Sequence, residues 1–121
     1  MALEDELAQF SESETYYRHF TGLLYTDGIK YLAERTGAYW LIDLVGSYQR
    51  QLTNVPFQLW QLKVHHDKSA LITMVKDIGQ PIKVTQRISY TDFPLRDFSF
   101  YCADTVINRR QHKVMMLKSE Y

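Results

Sequence analysis

The chain has 121 residues, the size of one ordinary domain, with 45% hydrophobic and 23% charged residues, so a single packed unit over residues 1–121 is expected rather than a disordered chain. Fourteen Lys and Arg balance fourteen Asp and Glu, which leaves no global field to attract nucleic acid or a membrane, and the lone Cys102 excludes an internal disulfide, a Cys-x-x-Cys pair and a cysteine-rich zinc site. No apolar run approaches the roughly 20 residues that span a bilayer, and Glu4, Asp5 and Glu6 stand where a signal peptide would be basic, so a cytoplasmic protein is expected.

Residues 1–14 read as an acidic extension with one short helix, because Leu3, Leu7 and Phe10 fall at helical spacing. Residues 15–54 read as the helical part. Thr26-Asp27-Gly28 allows either a hairpin turn or a helix start; Ile29, Leu32 and Ala33 at i, i+3, i+4 favour a helix with Thr26 as N-cap, Asp27 in its first turn and Gly37 as a left-handed stop. Gly28 in the first turn is the cost of that choice. From Ala38 to about Leu52, the stripe of Ala38, Leu41, Ile42, Val45 and Leu52 is widened by Trp40, Leu44 and Tyr48, which predicts a helix buried on more than one side. Asn54-Val55-Pro56 ends it.

After Pro56 the period changes from 3.6 to 2. Strands are expected near Phe57 to His65, Ser69 to Lys76, Ile82 to Tyr90, Phe98 to Cys102 and Lys113 to Lys118. Trp60, Leu62 and Val64 should face the helices and Gln61, Lys63 and His65 water; Ile82, Val84, Ile88 and Tyr90 should likewise oppose Lys83, Thr85, Arg87 and Ser89. The expected fold is α+β: N-terminal helices on one face of a roughly five-stranded antiparallel sheet over residues 57–118, the other face wet.

Chemical motifs are sparse. His65-His66-Asp67 is the most metal-like string, but neighbours on a strand point to opposite faces, so exposed hairpin-end histidines and no metal are expected. Cys102, in a strand with Phe98 and Phe100, reads as a small buried hydrophobe rather than a nucleophile. There is no Gly-x-Ser-x-Gly elbow, phosphate-cradling loop or dinucleotide fingerprint, so no cofactor and no catalytic residue is expected; Asp43, Asp92 and Glu120 could act only by meeting in space. Charge placement is the remaining signal. Acids crowd the first fourteen positions, whereas Arg109, Arg110, His112, Lys113 and Lys118 form a late basic stretch that could extend an outward face bearing Lys63, Lys83 and Arg87.

Thr26-Asp27-Gly28-Ile29-Lys30-Tyr31-Leu32-Ala33-Glu34, Gly37-Ala38-Tyr39-Trp40-Leu41-Ile42-Asp43, Thr91-Asp92-Phe93-Pro94-Leu95 and Ser119-Glu120-Tyr121 together form a pattern that resembles a family of small uncharacterised proteins of bacteria, phages and plasmids. The resemblance runs from about Thr15 onward and implies no activity. Family members pass from the Phe-Pro-Leu bend through a short hairpin to the terminal Ser-Glu-Tyr, so Asn108 to Lys113 looks like a longer, more basic insertion. The resemblance implies a binder or inhibitor of another macromolecule more than an enzyme. The expected function is a protein-interaction module, as a phage or mobile-element factor blocking a host protein or as a homodimer, with Tyr39, Trp40, Tyr48 and Arg50 as the contact patch. The alternative is nucleic-acid binding through Lys63, Lys83, Arg87, Arg109, Arg110 and Lys113.

Overall fold

A computed structural model describes residues 2–121. Helix α1 (Leu3–Leu7) leads into two three-residue strands, β1 (Tyr16–Arg18) and β2 (Leu24–Thr26), then helices α2 (Asp27–Thr36) and α3 (Tyr39–Tyr48), the latter closed by a 3-10 turn over Gln49–Gln51. Strands β3 (Phe57–Val64), β4 (Ala70–Val75), β5 (Ile82–Ile88), β6 (Asp97–Ile107) and β7 (Arg110–Leu117) follow, with a last 3-10 turn over Lys118–Glu120. The sheet has seven strands in the order β1-β2-β7-β6-β3-β4-β5, all neighbours antiparallel except β2 and β7.

The α+β class and the five later strands agree with the period-2 reading, whereas the sheet is mixed and seven-stranded rather than antiparallel and five-stranded, and residues 15–54, expected as the helical part, also supply β1 and β2. Three residues are too few for alternation to register; β1 and β2 pair with each other, and β2 joins the sheet on the parallel edge of β7, some ninety positions later, at Leu24↔Val114 and Tyr25↔Met115. Strand β6 also runs to Ile107 rather than stopping at Cys102. The basic stretch is a tight turn and the start of β7. Ile107 pairs with Arg110, and Asn108 and Arg109 between them have φ of 51° and 67°, the two left-handed residues of a tight hairpin turn.

Helices and sheet close on one core. Trp60, Leu62, Ile72, Met74, Phe100 and Met115 point from the sheet toward Ile29, Leu32, Leu41, Ile42 and Val45, all at 1% exposure or less. The polar atoms inside are paired: Gln49 and Gln58 exchange reciprocal amide hydrogen bonds at 3.0 and 2.8 Å, and the Trp60 indole donates to Gln58 Oε1 at 3.0 Å. The opposite face is less wet than alternation implies. Leu24, Ala103, Val114 and Met116 are buried there with Phe57, Tyr101 and Ile107 against them, and Tyr121 packs on Phe57 and Tyr101 with centroids 5.2 Å apart.

The start of α2 accounts for Gly28. Thr26 Oγ1 accepts from the Ile29 amide at 3.3 Å and donates to Glu120 Oε1 at 2.6 Å, while Glu120 Oε2 accepts from the Gly28 amide at 3.1 Å. The terminal Ser-Glu-Tyr segment thus carries a carboxylate onto the positive end of α2, where two of the helix's unpaired N–H groups are satisfied. A Cβ on Gly28 would lie 2.5 Å from both Glu120 Oε1 and Leu117 Cδ1. Gly28→Ala, which in an open helix would gain about 1 kcal/mol, is therefore expected to destabilise by about 1–3 kcal/mol through overpacking. Urea unfolding of the variant reads the sign: a higher midpoint than the parent would refute the close approach.

Candidate functional site

Helix α3 carries most of the expected contact residues, but the structure separates them. Tyr39 is 43% exposed at the helix start, its hydroxyl 3.5 Å from Glu34. Trp40 is half-buried, one side on the core and the other on the surface. Tyr48 is a packing residue: its hydroxyl donates to Gln86 Oε1 at 2.6 Å and its ring lies 6.0 Å from Trp60. Arg50 is exposed at the far end, beside a different cavity. The four therefore make no single patch.

The basic set is dispersed too. Lys63, Lys83 and Arg87 do face outward and are exposed, and Ile88 is half-buried on the other side. Lys63 sits opposite Asp97 at one end of the sheet, whereas Arg109 and Arg110 lie at the tip of the β6–β7 hairpin beyond the other end. Lys113 points to the helix side, where Asp104 neutralises it at 2.7 Å and the Val55 carbonyl accepts from it at 2.8 Å. Charges so spread do not form the continuous stripe that tracks a phosphate backbone.

The carboxylates that could have met do not. Asp43 accepts from His19 Nε2 at 2.6 Å, Glu120 caps α2, and Asp92 is exposed on the bend before β6. His19 was isolated in sequence and the fold gives it a place. Its Nδ1 accepts from the Thr21 amide at 3.2 Å and lies 2.8 Å from the Thr21 hydroxyl, so the amide fixes the imidazole as the tautomer that donates Nε2–H to Asp43. Both Thr21 bonds serve the same nitrogen, which makes the trio a clamp on the β1–β2 turn against α3. Gly46 permits it: a Cβ there would lie 2.7 Å from Thr21 Oγ1 and 3.2 Å from His19 Nδ1. Gly46→Ala should cost about 1–3 kcal/mol and release the His19 ring. Unchanged imidazole nitrogen shifts in the variant would contradict this.

Among the described residues no group of three His, Cys, Asp or Glu side chains could hold a metal ion, and His65 and His66 are exposed at the β3–β4 hairpin. Cys102 is fully buried, and desolvation pushes its thiol up to about 12. It should resist iodoacetamide at pH 8 in the native protein and react once urea unfolds the chain; fast native alkylation would place it elsewhere.

One surface that brings apolar side chains to water lies between α3 and β5. A shallow groove of about 570 Å3 runs there, walled by Trp40, Asp43 and Leu44 on the helix and by Arg87, Ile88 and Tyr90 on the strand side. Tyr90 is 64% exposed and Ile82, at the other end of β5, 59%. Strand β5 is the last in the sheet and pairs only with β4, so the groove is flanked by a strand edge whose outer backbone groups no other strand takes up. The sequence offered a signal for this in the alternation of β5, but not the knowledge that β5 is an edge.

No helix among the described residues is long and apolar enough to cross a membrane. No curated protein and no solved structure matches the chain. A family model does match, over residues 1–121.

Proposed function

The chain belongs over its whole length to a family of unknown function, DUF6876, and because membership brings no activity with it, we propose from the geometry that this protein is a protein-interaction module. It works by adding an extended segment of its partner to the free edge of β5. The observation that carries this reading is the union of an unpaired strand edge with the Trp40–Leu44 groove beside it.

Charge selects the occupant. From Gln80 to Tyr90 the chain has two charged side chains, Lys83 and Arg87, both exposed, Lys83 at the bulge that faces Met74 and Val75. A second copy of β5 paired antiparallel about Thr85 would set Lys83 of each copy against the other's Arg87, and like charges directly opposite destabilise a strand pair. An acidic segment meets the same two cations favourably. Side chains alternate across a strand, so the partner strand presents acidic residues four apart on the outer face and apolar ones between them toward Trp40 and Leu44. No bond is made or broken in this role.

The test compares two labelled peptides, one alternating valine and glutamate, the other valine and lysine, by fluorescence anisotropy. The acidic peptide should bind and weaken as salt rises, since exposed charges are screened within about 10 Å at 0.1 M salt. Equal binding of both peptides, or of neither, would overturn the assignment.

A further inference from the structure

A second cavity, at the far end of α3 from the Trp40 groove, has a different chemistry. Strands β2 and β7 are in register only at Leu24↔Val114 and Tyr25↔Met115, so the stretch of β7 from Gln111 to Lys113 has β6 on one side and no strand on the other. The space left by the missing neighbour is a cavity of about 600 Å3, bounded by the Thr21–Leu23 turn and by Gly46 and Ser47 of α3 with Gln49 and Arg50 of the 3-10 turn after it. It falls within the range of about 300–1,000 Å3 usual for small-molecule sites. The Gly46 contact with the His19–Thr21 clamp holds the turn in place and so keeps one wall fixed.

The electrostatics of this cavity are one-sided. Arg50, His112 and Lys113 line it, and no Asp or Glu does. Lys113 is spoken for by Asp104 and by the Val55 carbonyl. Among the described residues the Arg50 guanidinium has neither an ion-pair nor a hydrogen-bond partner, so it is the cation the lining has free to offer. A guanidinium presents a planar fork of donors that fits a phosphate or a carboxylate through two parallel hydrogen bonds.

We infer that this cavity is a binding site for a small organic anion, whose phosphate or carboxylate group is held by Arg50 at the mouth opposite Gln111 to Lys113. The site is independent of the β5 edge: it shares only Ser47 with the lining of the groove, and neither Lys83 nor Arg87 reaches it. The experiment titrates the whole 15N-labelled chain with inorganic phosphate, adenosine 5′-monophosphate and citrate in turn, each at millimolar concentration, and follows backbone amides. Saturable shifts at Thr21 to Leu23 and Gln111 to Lys113 are expected with at least one of the three. Phosphate-only or citrate-only shifts identify the head group. Arg50→Gln should weaken the effect at least tenfold, whereas Arg87→Gln should leave it unchanged. No shifts with any of the three probes, shifts that persist in Arg50→Gln, or an equal loss in Arg87→Gln would overturn the inference. The anisotropy titration of the acidic peptide, insensitive to Arg50→Gln, reports separately on the β5 edge.

Discussion

Trp60→Ala is expected to cost about 3–5 kcal/mol, the largest effect of any single substitution in the core considered. Trp60 has no exposed surface and stacks parallel to Phe100, with centroids 6.3 Å apart and an interplanar angle of 5°. It sits where β3, the central strand of the longer-stranded half of the sheet, meets α3 through Tyr48. Truncation leaves a cavity between the two layers and removes the indole N–H from the Gln58 amide. Domains of this size have total stabilities of about 5–15 kcal/mol, so much of the variant should be unfolded or near unfolding at 37 °C. Trp60→Phe, which keeps most of the volume and loses the donor, should retain the fold at a lower midpoint. A cooperative urea transition for Trp60→Ala close to that of the parent would show that the two layers do not meet at this residue.

The second large effect concerns binding. Lys83→Glu combined with Arg87→Glu should leave stability within about 0.5 kcal/mol, because both side chains are exposed and neither has a salt-bridge partner among the described residues. Affinity for the alternating valine–glutamate peptide should fall at least tenfold, since juxtaposed like charges suppress a wrong partner by several kcal/mol. The valine–lysine peptide should gain what the acidic one loses. A swap of preference distinguishes charge selection at this edge from general apolar adhesion, which would leave both affinities where they were.

The parts of the fold legible in the sequence are those set by local chemistry. The N-cap at Thr26, the left-handed stop at Gly37, whose φ is 76°, and the inward Trp60, Leu62 and Val84 follow from spacing and backbone preference, whereas Ile82 and Tyr90, expected on the covered side with Val84, are exposed because they lie at or just past the ends of an edge strand. What escaped was set by residues far apart in the chain. Strand β2 is joined to the rest of the sheet by β7, Gly28 is small because of Leu117 and Glu120, and Lys113 is ion-paired with Asp104, and none of these partners is marked by a nearby pattern.

The candidate site divides in the same way. Outward-facing Lys83 and Arg87 could be read from alternation, and the surface position of part of Trp40 from the girth of its helix stripe. That β5 ends the sheet, that Tyr48 is tied down by Gln86, and that Arg50 belongs to another cavity depend on strand order and on the placement of α3, which periodicity does not encode. Phe20, 88% exposed with its ring tilted against His19 at 4.2 Å between centroids, is a further surface aromatic that no periodic pattern singled out.

Strand addition at β5 can be observed directly by amide hydrogen exchange with and without the valine–glutamate peptide. Slowed exchange at alternate amides between Ile82 and Ile88, accompanied by a shift of the Trp40 indole resonance, is the expected result. Slowing confined to the β1 edge, or peptide binding that leaves every β5 amide exchanging as before, would contradict it.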